Sequence, residues 1–436
     1  MKKLLSIFLA CSCLISLSAC NNKKSDSVTL PDGKLDKCTL RFSWWGGDDR
    51  HEATLEAIEL WNTLHPEITI EPEYGGWDGW TEKINTQING SSAPDLMQIN
   101  YDWLINLSSD GLAFYDLNLL TDSLDLSGFD EETLSFGKVN DSLNAVTVSM
   151  SGRGLFYNSQ AFDSVGAEYP RTWNELIALG DTFKDENSYP LDLDIQSGST
   201  AWYLAVVYVQ QNTGREFITM DGKLGFTCED IKSALDFYKS LEDNNVIRTV
   251  KERIESDGNS ALYQSSEFIG GNIAGVLEWG SAVGKYESVL DDGVLESGPF
   301  LTDDNENNTG WMIKPSLLYA ISSNTKYPDE VATFMDFLLN NQQCAEILGT
   351  SRGIPASEYA FEHLEQTGML NGLAHENAVM LNELDTVTIS PYMELAQLKE
   401  YYNSAIEKVS YGICSTDDAS KEMYDLIENY LEKINR

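Results

Sequence analysis

Positive charge is scarce in this chain. Only 29 Lys and Arg stand against 69 Asp and Glu, a formal net charge of −40 at pH 7. Nucleic acid requires a basic footprint and an anionic bilayer surface requires a basic face, so neither is an expected partner. Histidine is rarer still: His51, His65, His363 and His375 show no metal-ligating spacing. Beyond the first twenty residues the cysteines are Cys38, Cys228, Cys344 and Cys414, too far apart for a zinc pair. Buried free thiols are the expectation, with one or two long-range disulfides as the alternative for an exported chain. No metal and no cofactor is expected. A GxSxG nucleophile turn is also missing.

Aromatic residues, in contrast, make up 11% of the chain and hydrophobic residues 42%, which a disordered acidic polymer would not carry. A chain of 436 residues with this composition is expected to form two domains.

The N-terminus opens with Lys2 and Lys3, then runs apolar from Leu4 to Ala19. A membrane helix needs about 20 apolar residues, so residues 1–19 are read as a signal peptide. Their end, Leu17-Ser18-Ala19-Cys20, resembles the lipobox of bacterial lipoproteins. That resemblance implies cleavage before Cys20, lipidation of its sulfur, and anchorage of the exported chain to the outer face of the cytoplasmic membrane. The polar residues 20–37 are then a tether reaching roughly 20 to 25 Å.

The stretch Phe42 to Glu52, FSWWGGDDRHE, crowds aromatic and charged residues beyond a short strand at Thr39–Trp45. Helical spacing follows over Arg50–Leu64, then a strand at Ile68–Tyr74, a helix at Trp80–Asn89 and a strand at Asp95–Asn100. This alternation predicts an α/β fold with a parallel sheet, and ligands in such sheets lie beyond the carboxyl ends of the strands. Four stretches therefore share one rim: WWGGDDR, GGWDGW, NYDW and SMSGRG. They supply Trp44, Asp48, Asp49, Arg50, Trp77, Asp78, Tyr101, Asp102 and Arg153 as candidate ligand-binding residues. Asp49 with Glu52 also fits a capping box, as does Thr172 with Glu175. Of Trp44 and Trp45, alternation sends only one toward any face, and the sequence leaves open which.

Further along, Phe156-Tyr157-Asn158 and Pro170-Arg171-Thr172-Trp173-Asn174-Glu175-Leu176 resemble the hallmark segment of the extracellular solute-binding proteins of sugar ABC transporters, the maltose-binding-protein-like group. Ala93-Pro94-Asp95-Leu96, Ala274 to Trp279 and Arg352-Gly353-Ile354-Pro355 resemble later pieces of that family in order. The resemblance implies a two-lobed, periplasmic-binding-protein-like (class II) fold with a hinge and an inter-lobe cleft. Residues 38–150 with 300–348 would form one lobe and 151–299 with 349–436 the other. Crossings are expected near Val148–Gly154, Ser297–Thr302 and Leu348–Gly353. It also implies a monomer that captures a carbohydrate and presents it to the permease subunits of an importer, without catalysis.

Sugar recognition needs flat apolar faces and ionised groups that pair with hydroxyls. Trp202, Glu278, Trp279 and Arg352 complete the candidate set on that account. An oligosaccharide is the expected ligand, with an acidic sugar as the alternative because Arg50, Arg153 and Arg352 all fall at predicted cleft or hinge positions. A surface glycosidase is the distant alternative. Adjacent Asp48 and Asp49 on one loop cannot flank a glycosidic bond from two sides.

Overall fold

The computed structural model describes residues 37–435 apart from 78, 185, 196–198, 259, 292–293 and 304–308. The expected opening alternation is present. Strands β1 (Cys38–Trp45), β2 (Ile68–Gly75) and β3 (Leu96–Ile99) are joined by helices Asp48–Leu64 and Trp80–Asn89. Period-two patterning buries Leu40, Phe42 and Trp44 on one face of β1. The first helix closes over that face with Ala57, Ile58 and Trp61. β1 pairs in parallel with β2, from Cys38 opposite Ile68 to Trp45 opposite Gly75, and with β3 on its other side.

The helix Asp48–Leu64 begins differently from the expectation. Its N-cap is Gly47, with no side-chain cap, and both Asp48 and Asp49 lie in its first turn. There the partial positive charge of the helix end favours carboxylates, so Asp49 serves the dipole and forms no capping box with Glu52. The second expected box does form: the Glu175 amide donates to Thr172 Oγ1 at 3.2 Å and Thr172 N–H to Glu175 Oε2 at 3.3 Å.

A small hairpin of β4 (Lys138–Val139) and β5 (Ser142–Leu143) precedes β6, the 13-residue strand Val146–Asn158. The remaining strands are β7 (Gly275–Trp279), β8 (Leu295–Ser297), β9 (Met312–Ile321), β10 (Ile354–Pro355) and β11 (Val387–Thr388). The main path of the sheet runs β10-β6-β9-β3-β1-β2. β6 changes partners half-way. Residues from Val146 to Gly152 pair with β9, and residues from Arg153 to Asn158 pair with β7 and β8. One strand thus belongs to two cores.

The first core lies on both faces of β1, β2 and β3. Phe42, Trp44, Trp61 and Phe334 fill one side, while Trp45, Trp80, Trp103 and Phe136 fill the other. The second core gathers Tyr157, Trp173, Trp202, Trp311 and Tyr402 among the helices that follow β6. The later returns of the chain differ from the boundaries expected. Phe300, Leu301, Trp311 and Met312 pack in the second core, so the chain passes back along β9 instead of near Ser297–Thr302. The helix Glu358–Gln366 packs its Ala360 and Leu364 against Ala345, on the first-core helix Gln342–Leu348. Leu373 and Leu381 then join apolar clusters that hold Phe156 and Tyr157, placing the last return after residue 366 instead of at 348–353. Apolar contacts between distant segments decide these boundaries, and no local pattern encodes them.

Candidate functional site

The second half of β6 sets Arg153 opposite Trp279 of β7. Its guanidinium carbon lies 4.6 Å from the Trp279 ring and 4.9 Å from the Tyr203 ring. Lys314 of β9 reaches the same Trp279 ring, with Nζ at 4.6 Å. A cation held over an indole face is stabilised by roughly 2 kcal/mol when desolvated, so Trp279 gathers two positive charges from two strands. The Lys314 ammonium donates to Glu394, the last residue of the single turn Pro391–Glu394. Their side chains are 7% and 11% exposed. Burial lowers the Lys314 pKa, and Glu394 compensates only in part. Burial also opposes ionisation of Glu394, but Lys314 and Lys399 outweigh it and hold the carboxyl below its usual range. Lys399, in the helix Ala396–Ser410, makes no ion pair among the described residues.

Arg153, Trp202, Tyr203, Trp279, Glu394 and Lys399 line a cavity of about 30 Å³, and Lys314 reaches its Trp279 wall. Such a volume takes a water molecule or two and no pyranose ring. A sugar enters only if the facing elements part.

The facing elements come from the first core. Tyr101 and Asp102 directly follow β3. Asp102 is buried and accepts hydrogen bonds from Asn100 Nδ2 at 2.5 Å and Asn106 Nδ2 at 3.3 Å. Burial and then the charge of Glu394 push its carboxyl up to about 6, while Lys399 and Lys314 pull the other way. Burial and Glu394 likewise raise the Tyr101 hydroxyl. Beside them stands an aromatic group in which Trp45 meets Trp77 at 5.2 Å and Trp103 at 5.3 Å between ring centroids. Trp77 is 45% exposed, the largest free indole face on this rim.

The structure therefore brings together Arg153, Trp202 and Trp279 around the cavity, with Tyr101 and Asp102 within reach of the charge of Glu394. Trp202 is a wall of that cavity and no open platform, because its ring is fully buried against Tyr402. Other expected site residues stand elsewhere. Trp44 is a core residue: its indole stacks on Tyr74 at 4.9 Å and its Nε1 donates to His51 Nδ1 at 3.1 Å. Trp45 is its counterpart on the aromatic rim, as alternation along a strand requires. Arg50 donates to the backbone oxygens of Ser351 and Trp45, and Arg352 to Gln98 Oε1 and Thr54 Oγ1. Both arginines tie the 349–353 segment to the first core. Burial, then Arg352, lowers the Arg50 pKa to about 9. Asp48 and Asp49 are exposed at their helix start. Glu278 pairs with Lys285 at 2.7 Å and accepts from the Trp279 amide at 2.8 Å. Asp78 and Cys20 lie outside the described residues. The four described cysteines are free.

Sequence reasoning missed Tyr203, Lys314, Glu394 and Lys399. One signal was available for Lys314. It is the only charge in the apolar strand MIKPSLLYAI, and a lysine there is either an error of assignment or a buried, paired group. Nothing local distinguishes Glu394 or Lys399 from other surface charges. Elsewhere, a polar groove of about 650 Å³ beside Asn158, Glu186, Asn272 and Asp291 has no aromatic or basic lining among the described residues.

A family model for bacterial extracellular solute-binding proteins matches residues 47–343, more than half the chain. This chain belongs to that family. A periplasmic oligogalacturonide-binding protein from Yersinia enterocolitica, solved with saturated digalacturonic acid, is 32% identical, with a TM-score of 0.86 over 92% of this chain and 100% of its own. A periplasmic solute-binding protein from Pectobacterium atrosepticum is 33% identical, with a TM-score of 0.87 and the same coverage. Both are two-lobed binding proteins, which matches the two cores joined through β6. The multiple sugar-binding protein of Streptococcus mutans is 25% identical over 195 residues, 44% of this chain and 42% of its own. The chain spans about half the length of the first curated relatives it matches. Among the described residues no helix is long and apolar enough to cross a membrane.

Proposed function

We propose that this chain is the lipid-anchored substrate-binding subunit of an ABC importer, and that its ligand is an acidic oligosaccharide built from uronic-acid units. Capture proceeds by closure of the two lobes on the sugar, favoured because only the closed form lets both lobes touch it. The chain breaks no bond. It delivers the ligand to permease subunits, and Cys20 holds it to the membrane.

The observation that carries the reading is that Arg153 and Lys399 line one aromatic pocket, with Lys314 on the ring of its Trp279 wall, in a chain of net charge −40. Concentrating cations at one buried place is costly without counter-charges, and among the described residues Glu394 is the one carboxylate that lines this pocket, so the site suits an anionic ligand. Trp279 holds two of those cations against its ring, so it serves the charge cluster more than it serves as a bare sugar platform. The ligand named for the Yersinia relative, a digalacturonic acid, has the chemistry such a cluster suits. Of the two sugar classes weighed from sequence, this arrangement favours the acidic one.

Titration calorimetry of residues 39–436 with digalacturonate and with maltose tests it. Digalacturonate should bind and maltose should not, and Arg153→Ala should weaken binding at least tenfold. Binding of maltose alone would overturn the acidic assignment and leave the capture role standing.

A further inference from the structure

The carboxylate of Glu394 sits where a uronate would have to bind. It lines the pocket with Arg153 and Lys399, is nearly buried, and accepts the hydrogen bond of the Lys314 ammonium. It also lies close enough to Tyr101 and Asp102 for its charge to raise the pKa of both. We propose that Glu394 is the specificity-determining residue of this site: it is a resident carboxylate on Lys314 that a ligand carboxylate displaces and that a neutral sugar cannot. The inference rests on the acidic-sugar reading and adds to it the residue that enforces the choice.

Charge balance supports the exchange. Lys314 is too well buried to give up an anion for a hydroxyl, because a buried ammonium without a counter-charge is strongly disfavoured. Replacing one carboxylate by another leaves the charge count around the ammonium unchanged. A neutral pyranose offers only hydroxyl oxygens, so it would have to separate Lys314 from Glu394 without compensation. Charged acceptors make hydrogen bonds about twice as strong as neutral ones, which widens the gap.

The local backbone permits the swap. Glu394 ends a four-residue turn, and Leu395 after it is extended with φ −58° and ψ 131°. The side chain can leave Lys314 by rotation about its own bonds while the helix Ala396–Ser410 stays in place. Lys399, one turn into that helix, is a second cation close enough to influence Glu394 and can take the released carboxylate.

The test uses residues 39–436 as wild type, Glu394→Gln and Glu394→Asp, titrated with digalacturonate and with maltose. Removing the competing carboxylate should tighten digalacturonate binding by about tenfold in Glu394→Gln. The shorter Asp side chain should tighten it by a smaller factor. Thermal melting supplies a second readout if Glu394→Gln is poorly folded without ligand: digalacturonate should raise its Tm by more than it raises that of the wild type. Equal or weaker binding in Glu394→Gln, with wild type still binding digalacturonate, would make Glu394 an ordinary acceptor for sugar hydroxyls and overturn the proposal. Wild type that ignores digalacturonate and binds maltose would instead sink the acidic-sugar reading itself. The two failures give different wild-type titrations and cannot be confused.

Discussion

Substituting Asp102 by Asn should make the protein more stable at neutral pH and remove part of its pH dependence. The carboxyl is buried, faces Glu394, and has a pKa raised from 3.8 to about 6; Lys399, Lys314 and the Asn100 amide act in the opposite direction. Because the folded state holds this proton more tightly than the unfolded chain, the folded form binds more protons between about pH 4 and pH 6. Stability from this group therefore falls as pH rises through that window and is level above it. A shift of about two units corresponds to roughly 3 kcal/mol as an upper bound. An amide at the same position stays neutral throughout, and Asn100 can still donate to its oxygen. Urea unfolding of wild type and Asp102→Asn at pH 4.5, 5.5 and 7 measures the difference, with all other titrating groups cancelling between the two. The variant should gain about 1 to 3 kcal/mol relative to wild type on going from pH 4.5 to 7. A difference that does not change with pH would refute the reasoning, since it would mean that Asp102 titrates alike in the folded and unfolded states.

Two further outcomes follow from the packing. Gly154 lies in β6 where a Cβ would fall 1.9 Å from Asn377 Oδ1, so Gly154→Ala should destabilise by at least about 1 to 3 kcal/mol in a urea midpoint measurement. An unchanged midpoint would show that the helix Gly372–Asn382 can move aside. Arg50→Ala removes hydrogen bonds to the Ser351 and Trp45 carbonyls and should cost about 2 kcal/mol. It should also speed amide exchange near Ser351, where unchanged exchange would argue against the tie to the first core.

How much of this was written locally can be judged from particular residues. The strands β1, β2 and β3 were legible because each has a short periodic pattern closed by Gly, Pro or a capping residue, and those signals act within a few residues. Trp77 and Asp102 were placed just beyond β2 and β3 by the strand-end rule, whereas Arg153 lies inside β6, where that rule does not reach. The same rule misplaced Trp44, because it fixes the end of the strand and not the face. Arg50 and Arg352 were read as ligand-facing from their charge, yet each spends its donors on groups in the sheet core or the adjoining loop. Their partners are Thr54, Gln98 and Ser351, and for Arg352 the first two lie about 250 to 300 positions away in the chain. Lys314 stood out only as the single charge of an apolar strand, and Glu394 and Lys399 were missed because a cluster drawn from β9, a turn and a helix has no signature in the turn or the helix alone.

The double membership of β6 has a consequence for how this chain tolerates change in length. The ladder with β9 is irregular between Thr147 and Met150, but from Met150 to Asn158 the pairing of β6 with β9, β7 and β8 runs without a shift, and residues on both sides of the change of partner are packed. Inserting or deleting a single residue near Gly152 cannot be absorbed at one end, because both ends are fixed in finished cores. Either Val146 and Thr147 or Phe156 and Tyr157 would be turned inside out. The middle of β6 thus behaves as a ruler of fixed length between two bodies that are otherwise free to vary, and surviving length changes should be confined to the loops around it.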